Sequence, residues 1–162
     1  MSQPMFRAAE EADIPEVRRI AAAAWTPIFE HFRELMGDDL YQRERPGDRR
    51  KNKADQVESH FRNHAEWAFV VELDGEVVGF CTYVLRDSGV GEIGNNAIDP
   101  DYQGRGLGSA MHRECLRRMR EAGMQYAQVG TGLDKSHAPA RRAYEAVGFR
   151  QVLPQVDYFM QL

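Results

Sequence analysis

One run in this sequence combines residue types and spacing that suit a definite chemistry: Gln103-Gly104-Arg105-Gly106-Leu107-Gly108-Ser109, set between a strand-like apolar stretch and a long helical pattern. Its glycines stand at alternate positions and leave the backbone bare where the helix begins. The first N–H groups of a helix have no partner within it, and the positive end of the helix dipole lies there. Together they make an anion site suited to a pyrophosphate, to which Arg105 can add a charge-assisted contact. Taken alone, the glycine cluster equally suits a strand-to-helix turn that binds nothing. Two nucleotide motifs fail on spacing. A P-loop needs a Lys after its last glycine, and none follows Gly106 or Gly108. The dinucleotide fingerprint, begun at Gly104 or Gly106, meets Ser109 or Met111 where its third glycine belongs. It also belongs early in a parallel βαβ unit, whereas here a hairpin pattern precedes it.

The surrounding pattern says what must hold this turn in place. Met5 to Ala9 predicts a short strand. Asp13-Ile14-Pro15-Glu16 has the form of a helix start, followed by Val17, Ile20, Ala21, Ala24 and Trp25 at helical spacing. Thr26-Pro27 predicts the start of a second helix with the stripe Ile28, Phe29, Phe32, Leu35 and Met36. A third helix is predicted through Ala54, Val57 and Phe61. Residues 68–73 and 76–86, rich in Val, Phe, Tyr and Thr, flank Asp74-Gly75 and predict a hairpin. A strand from Glu92 to Ile98 leads into the glycine turn. The helix after it carries Leu107, Ala110, Met111, Cys115, Met119 and Ala122 on one face and stops at Gly123. Residues 126–132 predict a strand, and Ala140, Ala143, Tyr144 and Val147 a helix ending at Gly148. The tail, residues 150–162, predicts two short strands broken at Pro154. Adjacent Asn95 and Asn96 suit a strand poorly and predict a bulge that aims backbone groups, and a side chain, at a site.

The turn resembles the acetyl-CoA loop Gln/Arg-x-x-Gly-x-Gly/Ala of the GNAT superfamily of N-acetyltransferases, matched by Gln103-Gly-Arg-Gly106-Leu-Gly108. A second motif of that family, Asn-x-x-Ala-x-x-x-Tyr-x-x-x-Gly-Phe, is matched by Ala140, Tyr144, Gly148 and Phe149, with His137 where the Asn usually sits. Element order is similar over nearly the whole chain, although residues 25–65 match only in helical character. The resemblance implies one α/β domain over residues 1–162, with a mixed central sheet of about six to seven strands flanked by helices. It implies direct transfer of an acetyl group from acetyl-CoA to a primary amine, with coenzyme A as product. Pantetheine would pair with the strand near Asn95 to Ile98, a backbone N–H of Ala97 or Ile98 would face the thioester oxygen, and Gln103 to Ser109 would hold the pyrophosphate. Glu92, eleven residues before the motif's Gln, is the candidate general base, set against a solvated strand-end charge. Tyr144 is the candidate general acid for the departing sulfur, set against a plain core tyrosine. His137 would contact the cofactor in place of the Asn or stand as an exposed loop histidine. The N-terminal helices would wall the acceptor side, with Trp25, Phe29, Phe32 and Tyr41 as aromatic candidates and Glu30, Glu34, Asp38 and Asp39 as attractors of a cationic amine. Asn95 and Asn96 would lie toward the substrate. The acceptor itself, a small molecule or a peptide amine, stays open. A non-catalytic module that senses acyl-CoA on the same fold is the second reading, and Tyr144 argues against it.

Bulk properties bound these readings. The 162 residues carry a formal charge of −4, the wrong sign for a general nucleic-acid binder. A basic island runs from Arg43 to Lys53 and reads as a solvated loop or a partner contact. Cys81 and Cys115 fall in apolar patterns without metal-ligand spacing and read as buried small hydrophobes of a reducing cytoplasm. His60 and His64 are spaced i, i+4 but lack the Glu of a zinc helix, so no metal is expected. No apolar run is long enough to span a bilayer, and the first residues lack the form of a secretion signal. The terminal strands would allow a homodimer, which the family often forms, without requiring one.

Overall fold

The computed structural model describes residues 3–162. Asp74-Gly75 takes φ angles of 54° and 84°, the left-handed pair of a two-residue hairpin turn. It joins β2 (Ala68–Leu73) to β3 (Glu76–Leu85), which pairs antiparallel with β4 (Val90–Ile98). β1 (Met5–Arg7) lies antiparallel beside β2, and β5 (Tyr126–Val129) lies parallel to β4. A parallel neighbour needs a crossover, which α4 (Leu107–Glu121) supplies.

Both faces of the sheet are covered. Alternate residues Phe69 and Val71, with Val78, Cys81, Ile93 and Ile98, pack against Leu107, Met111, Cys115 and Met119 of α4. The intervening Ala68 and Val70, with Phe80 and Ala97, pack against α1 (Ile14–Met36) and α3 (Arg49–Asn63) through Ile14, Val17, Ile20, Ala21, Val57 and Phe61. This strand periodicity of two divides the core into two layers. Short α2 (Asp38–Glu44) links α1 to α3, and α5 (Ala138–Glu145) follows β5.

Two sequence expectations are corrected. Thr26-Pro27 does not restart a helix, because α1 continues through it for 23 residues. Pro27 has no N–H to donate, and the Thr26 hydroxyl donates to the Ala22 carbonyl at 2.8 Å in the same turn. The helix ends instead at Gly37, with φ 76°. The sheet has five strands among the described residues, not six to seven. The difference is the tail: residues 150–162 form no ladder, and Val152, Leu153, Val156, Tyr158 and Met160 are exposed. Alternation gives a segment the capacity for a strand but supplies no partner edge, and Pro154 removes one ladder donor.

Candidate active site

The site is organised by a bulge in β4. Cys81 pairs with Asn96 and Tyr83 with Ile93, so Thr82 alone faces both Gly94 and Asn95. The Thr82 hydroxyl donates to the Asn95 carbonyl at 3.0 Å and closes the bulge. A Cβ on residue 94 would lie 2.8 Å from Thr82 Oγ1, so the close approach requires Gly94. The bulge expected at the paired asparagines is therefore present, one residue earlier than their centre. It resets the alternation of the strand. Ile93 packs on the α4 side, and beyond the bulge Asn96 returns to that side while Asn95 turns toward α3. β5 accompanies β4 only from Val90 to Ile93. From Gly94 to Ile98, that edge of β4 has no strand partner among the described residues.

Asn96 ties three elements together. Its Nδ2 donates to the Gly94 carbonyl at 3.0 Å and to Tyr144 Oη at 3.1 Å. The carbonyl contact fixes which end of the amide is nitrogen, so Oδ1 must accept from His112 Nε2 at 3.0 Å. His112 therefore carries a proton on Nε2, with Nδ1 buried and without a hydrogen-bond partner. Burial pushes its pKa down to about 4, against a weaker opposing pull from the Ala143 backbone. Tyr144, 7% exposed, packs 4.7 Å from the His112 ring and edge-on to Phe149. Burial raises its pKa while the Asn96 hydrogen bond lowers it less, so the phenol keeps its proton. Because Oη accepts from Asn96, the O–H is free to donate elsewhere. Sequence reasoning does not single out His112. The available signal was its neighbourhood, since it follows Met111 and precedes Cys115 on the apolar side of α4.

This burial carries a pH signature. Unfolded His112 takes a proton below its ordinary 6.5, whereas the folded ring resists protonation until about 4. The unfolded state thus binds more protons in that window, and folding stability falls as pH drops through it, by up to about 3 kcal/mol. Chemical denaturation between pH 7 and 4 should show this loss, and a His112→Leu variant should lack that component. Equal acid sensitivity in both proteins would refute it.

The glycine turn keeps its N–H groups bare. Gly106, at φ 79°, begins α4 with no side-chain cap, and the first helical bond runs from Ala110 N to the Gly106 carbonyl. The N–H groups of Leu107, Gly108 and Ser109 are left without helix partners. A Cβ on Gly104 or Gly106 would meet nothing within 4 Å, so the space over the turn is open to a ligand. The side chains of the motif brace the loop itself. Gln103 Nε2 donates to the Ile98 carbonyl at 2.9 Å, and Arg105 lies over Tyr102 with Nη2 donating to the Asp101 carbonyl.

The remaining candidates are placed as follows. Glu92 lies opposite Val84 and beside Gln128, ion-paired with Arg86, and makes no hydrogen bond to Asn96 or Tyr144. His137 is not a free loop residue: Nδ1 meets Asp134 Oδ1 at 2.7 Å and the ring packs against Phe32 of α1. Asp134 is lowered in pKa, with burial opposing but Ser136 and His137 hydrogen bonds prevailing. Tyr41 is buried, as is Phe29, and Trp25 is half-buried beneath Lys53. Three of the four acidic candidates are engaged, Asp38 with Arg33, Asp39 with Arg43 and Glu34 with His31. Among the described residues, no group of three or more His, Cys, Asp or Glu side chains converges, and no helix is long and apolar enough to cross a membrane.

Comparison with known proteins agrees with this geometry. Residues 20–149 match the model of the Acetyltransferase (GNAT) family. Mycothiol acetyltransferase of Thermomonospora curvata is 32% identical over 90 residues, which cover 56% of this chain and 30% of that protein. The chain thus spans about a third of the length of such curated relatives. A GNAT family acetyltransferase from Brucella melitensis, solved in complex with acetyl-CoA, has the same fold, with a TM-score of 0.62, 21% identity and coverage of 93% of this chain and 85% of that one. The ribosomal-protein-S18-alanine N-acetyltransferase of Escherichia coli aligns with a TM-score of 0.66 at 20% identity, over 93% of this chain and 80% of its own.

Proposed function

Since the chain belongs to the Acetyltransferase (GNAT) family, we propose that it transfers an acetyl group from acetyl-CoA directly to a primary amine, with both bound at once. The observation that carries this reading is the Asn96–Tyr144 hydrogen bond, which fixes a protonated phenol beside the partnerless edge of β4. Acetyl-CoA supplies an acetyl group activated on a thioester sulfur. The open glycine turn fits its pyrophosphate, held by the N–H groups of Leu107, Gly108 and Ser109. The free edge from Gly94 to Ile98 suits the amide groups of pantetheine, with Ala97 or Ile98 offering an N–H to the carbonyl. Gln103 and Arg105 act by shaping the loop. Tyr144 Oη then gives its proton to the sulfur as the C–S bond breaks. Glu92 is the proposed base for the incoming ammonium, directly or through water, after exchanging its Arg86 contact. His137, hydrogen-bonded to Asp134 at the start of α5, is proposed to orient that helix beside the cofactor.

A thermal-shift titration tests the reading. Acetyl-CoA at about 100 times its Kd should stabilise the fold by about 2.7 kcal/mol, with no shift from NAD or ATP. An amine panel read by CoA release should then show turnover, and Glu92→Gln should flatten the alkaline rise of kcat/KM. No acetyl-CoA shift refutes the reading, and an unchanged pH profile removes Glu92 from it.

A further inference from the structure

The acceptor side of the site carries positive charge without counter-ions. Half of the basic island turns away from solvent: Arg43, Arg50 and Lys51 are exposed, whereas Arg45, Arg49 and Lys53 fold back against α1. The Arg45 guanidinium stands 4.6 Å from the Phe32 ring centre, Arg49 stands 5.8 Å from Phe29, and the Lys53 ammonium stands 4.8 Å from Trp25. The aromatic partners ascend α1 as the cations descend toward α2, so the three charges form a ladder along one helix face. The rung farthest from α2 reaches the bulge, where Lys53 Nζ donates to Asn95 Oδ1 at 2.9 Å. Among the described residues, none of the three makes an ion pair, although most other arginines near α1 and α3 do. Lys53 has only neutral partners, Gln56 and Asn95. The Nε atoms of Arg45 and Arg49 are buried with no hydrogen-bond partner. The three also feel one another, since burial and then the Arg49 and Arg45 charges lower the Lys53 pKa.

Ring faces stabilise single cations, but they do not cancel the repulsion among three, and unused buried N–H donors are costly. A bound oxyanion would cancel that repulsion. We propose that the acceptor amine is carried by a molecule that also bears an oxyanion, a carboxylate or a phosphate, bound by Arg49 and Lys53 with Arg45 beyond them. This rests on the acetyl-transfer reading and names the substrate class for the same site. It also replaces the expectation of an acidic wall, whose carboxylates are largely occupied by Arg33, Arg43 and His31.

The test compares matched acceptors with acetyl-CoA present, read by CoA release. Short peptides with a free C-terminal carboxylate are set against their C-terminal amides, and glucosamine 6-phosphate against glucosamine. The anionic member of at least one pair should have a kcat/KM at least about tenfold higher, and the pair that responds identifies carboxylate or phosphate. In the double variant Arg49→Gln, Lys53→Gln the ratio should fall toward one, whereas Arg49→Lys, Lys53→Arg should keep it. The acetyl-CoA thermal shift of each variant certifies its fold. Equal use of both members of every pair, or a ratio undiminished in the glutamine variant, overturns the anion site while acetyl transfer stands. Absence of both acetyl-CoA binding and turnover overturns the underlying reading, and the anion site with it.

Discussion

Tyr144→Phe is expected to lower kcat by about 100- to 10,000-fold, the range of proton-transfer roles, while the acetyl-CoA thermal shift stays close to that of the parent. The substitution removes one oxygen and keeps the ring. The contacts with His112 and Phe149 therefore survive, and so does the packing of α5 on α4. One Asn96 Nδ2 proton keeps the Gly94 carbonyl while the other loses its acceptor, a stability cost of about 1–3 kcal/mol. A loss of kcat with the fold retained is therefore the decisive readout. A purely structural tyrosine predicts the reverse, a lower melting temperature with kcat intact. That outcome would remove Tyr144 from the chemistry. The argument has a second arm, because the phenol is loaded by its surroundings: burial raises its pKa, and Asn96 occupies a lone pair on Oη without taking the proton. Raising pH toward 10 should therefore not discharge the acid in the parent enzyme.

How much of this was legible in the sequence follows the range of the interactions involved. The hairpin at Asp74-Gly75, the stop at Gly123 and the start of α4 at Gly106 depend on neighbouring residues, and the sequence pattern locates each. Tyr144 was legible through spacing within one helix. Its partners were not, because Asn96 and His112 lie 48 and 32 positions away and meet it only after β4 bulges and α4 folds across the sheet. The basic island was only partly legible for a related reason. Charge runs normally seek water, and nothing local announces that aromatic rings of α1 will receive Arg45, Arg49 and Lys53. Pro27 shows the opposite error: a strong local signal was overridden where α1 packs on the sheet as far as Trp25 and still buries Phe29 and His31 beyond the proline. Ladder formation was the least legible feature, as the tail shows, because it depends on an edge the segment does not contain.

Gly94→Val should cost about 100-fold in kcat, because the site depends on the register that the bulge imposes. A Cβ there begins 2.8 Å from Thr82 Oγ1, closer than any real contact, and valine adds two methyl groups beyond it. Relief can come in two ways. Thr82 can turn its hydroxyl away from the Asn95 carbonyl, which opens the bulge, or β4 can shift along β3. A shift of one residue exchanges the faces of the strand, carrying Asn96 toward α1 and α3 and leaving Tyr144 and His112 without their shared partner. Overpacking alone would cost about 1–3 kcal/mol of stability. Stability and activity separate the two effects. Thr82→Val, which keeps the shape but deletes the hydrogen bond to Asn95, should lose activity in the same direction and by less, whereas Thr82→Ser should be close to the parent. Denaturation curves would certify that each variant is folded, and kcat would report the register. A folded Gly94→Val protein with parental kcat would mean that the bulge is an irregularity of the strand with no part in aiming Asn96. The Asn96–Tyr144 contact would then have to arise from α5 alone.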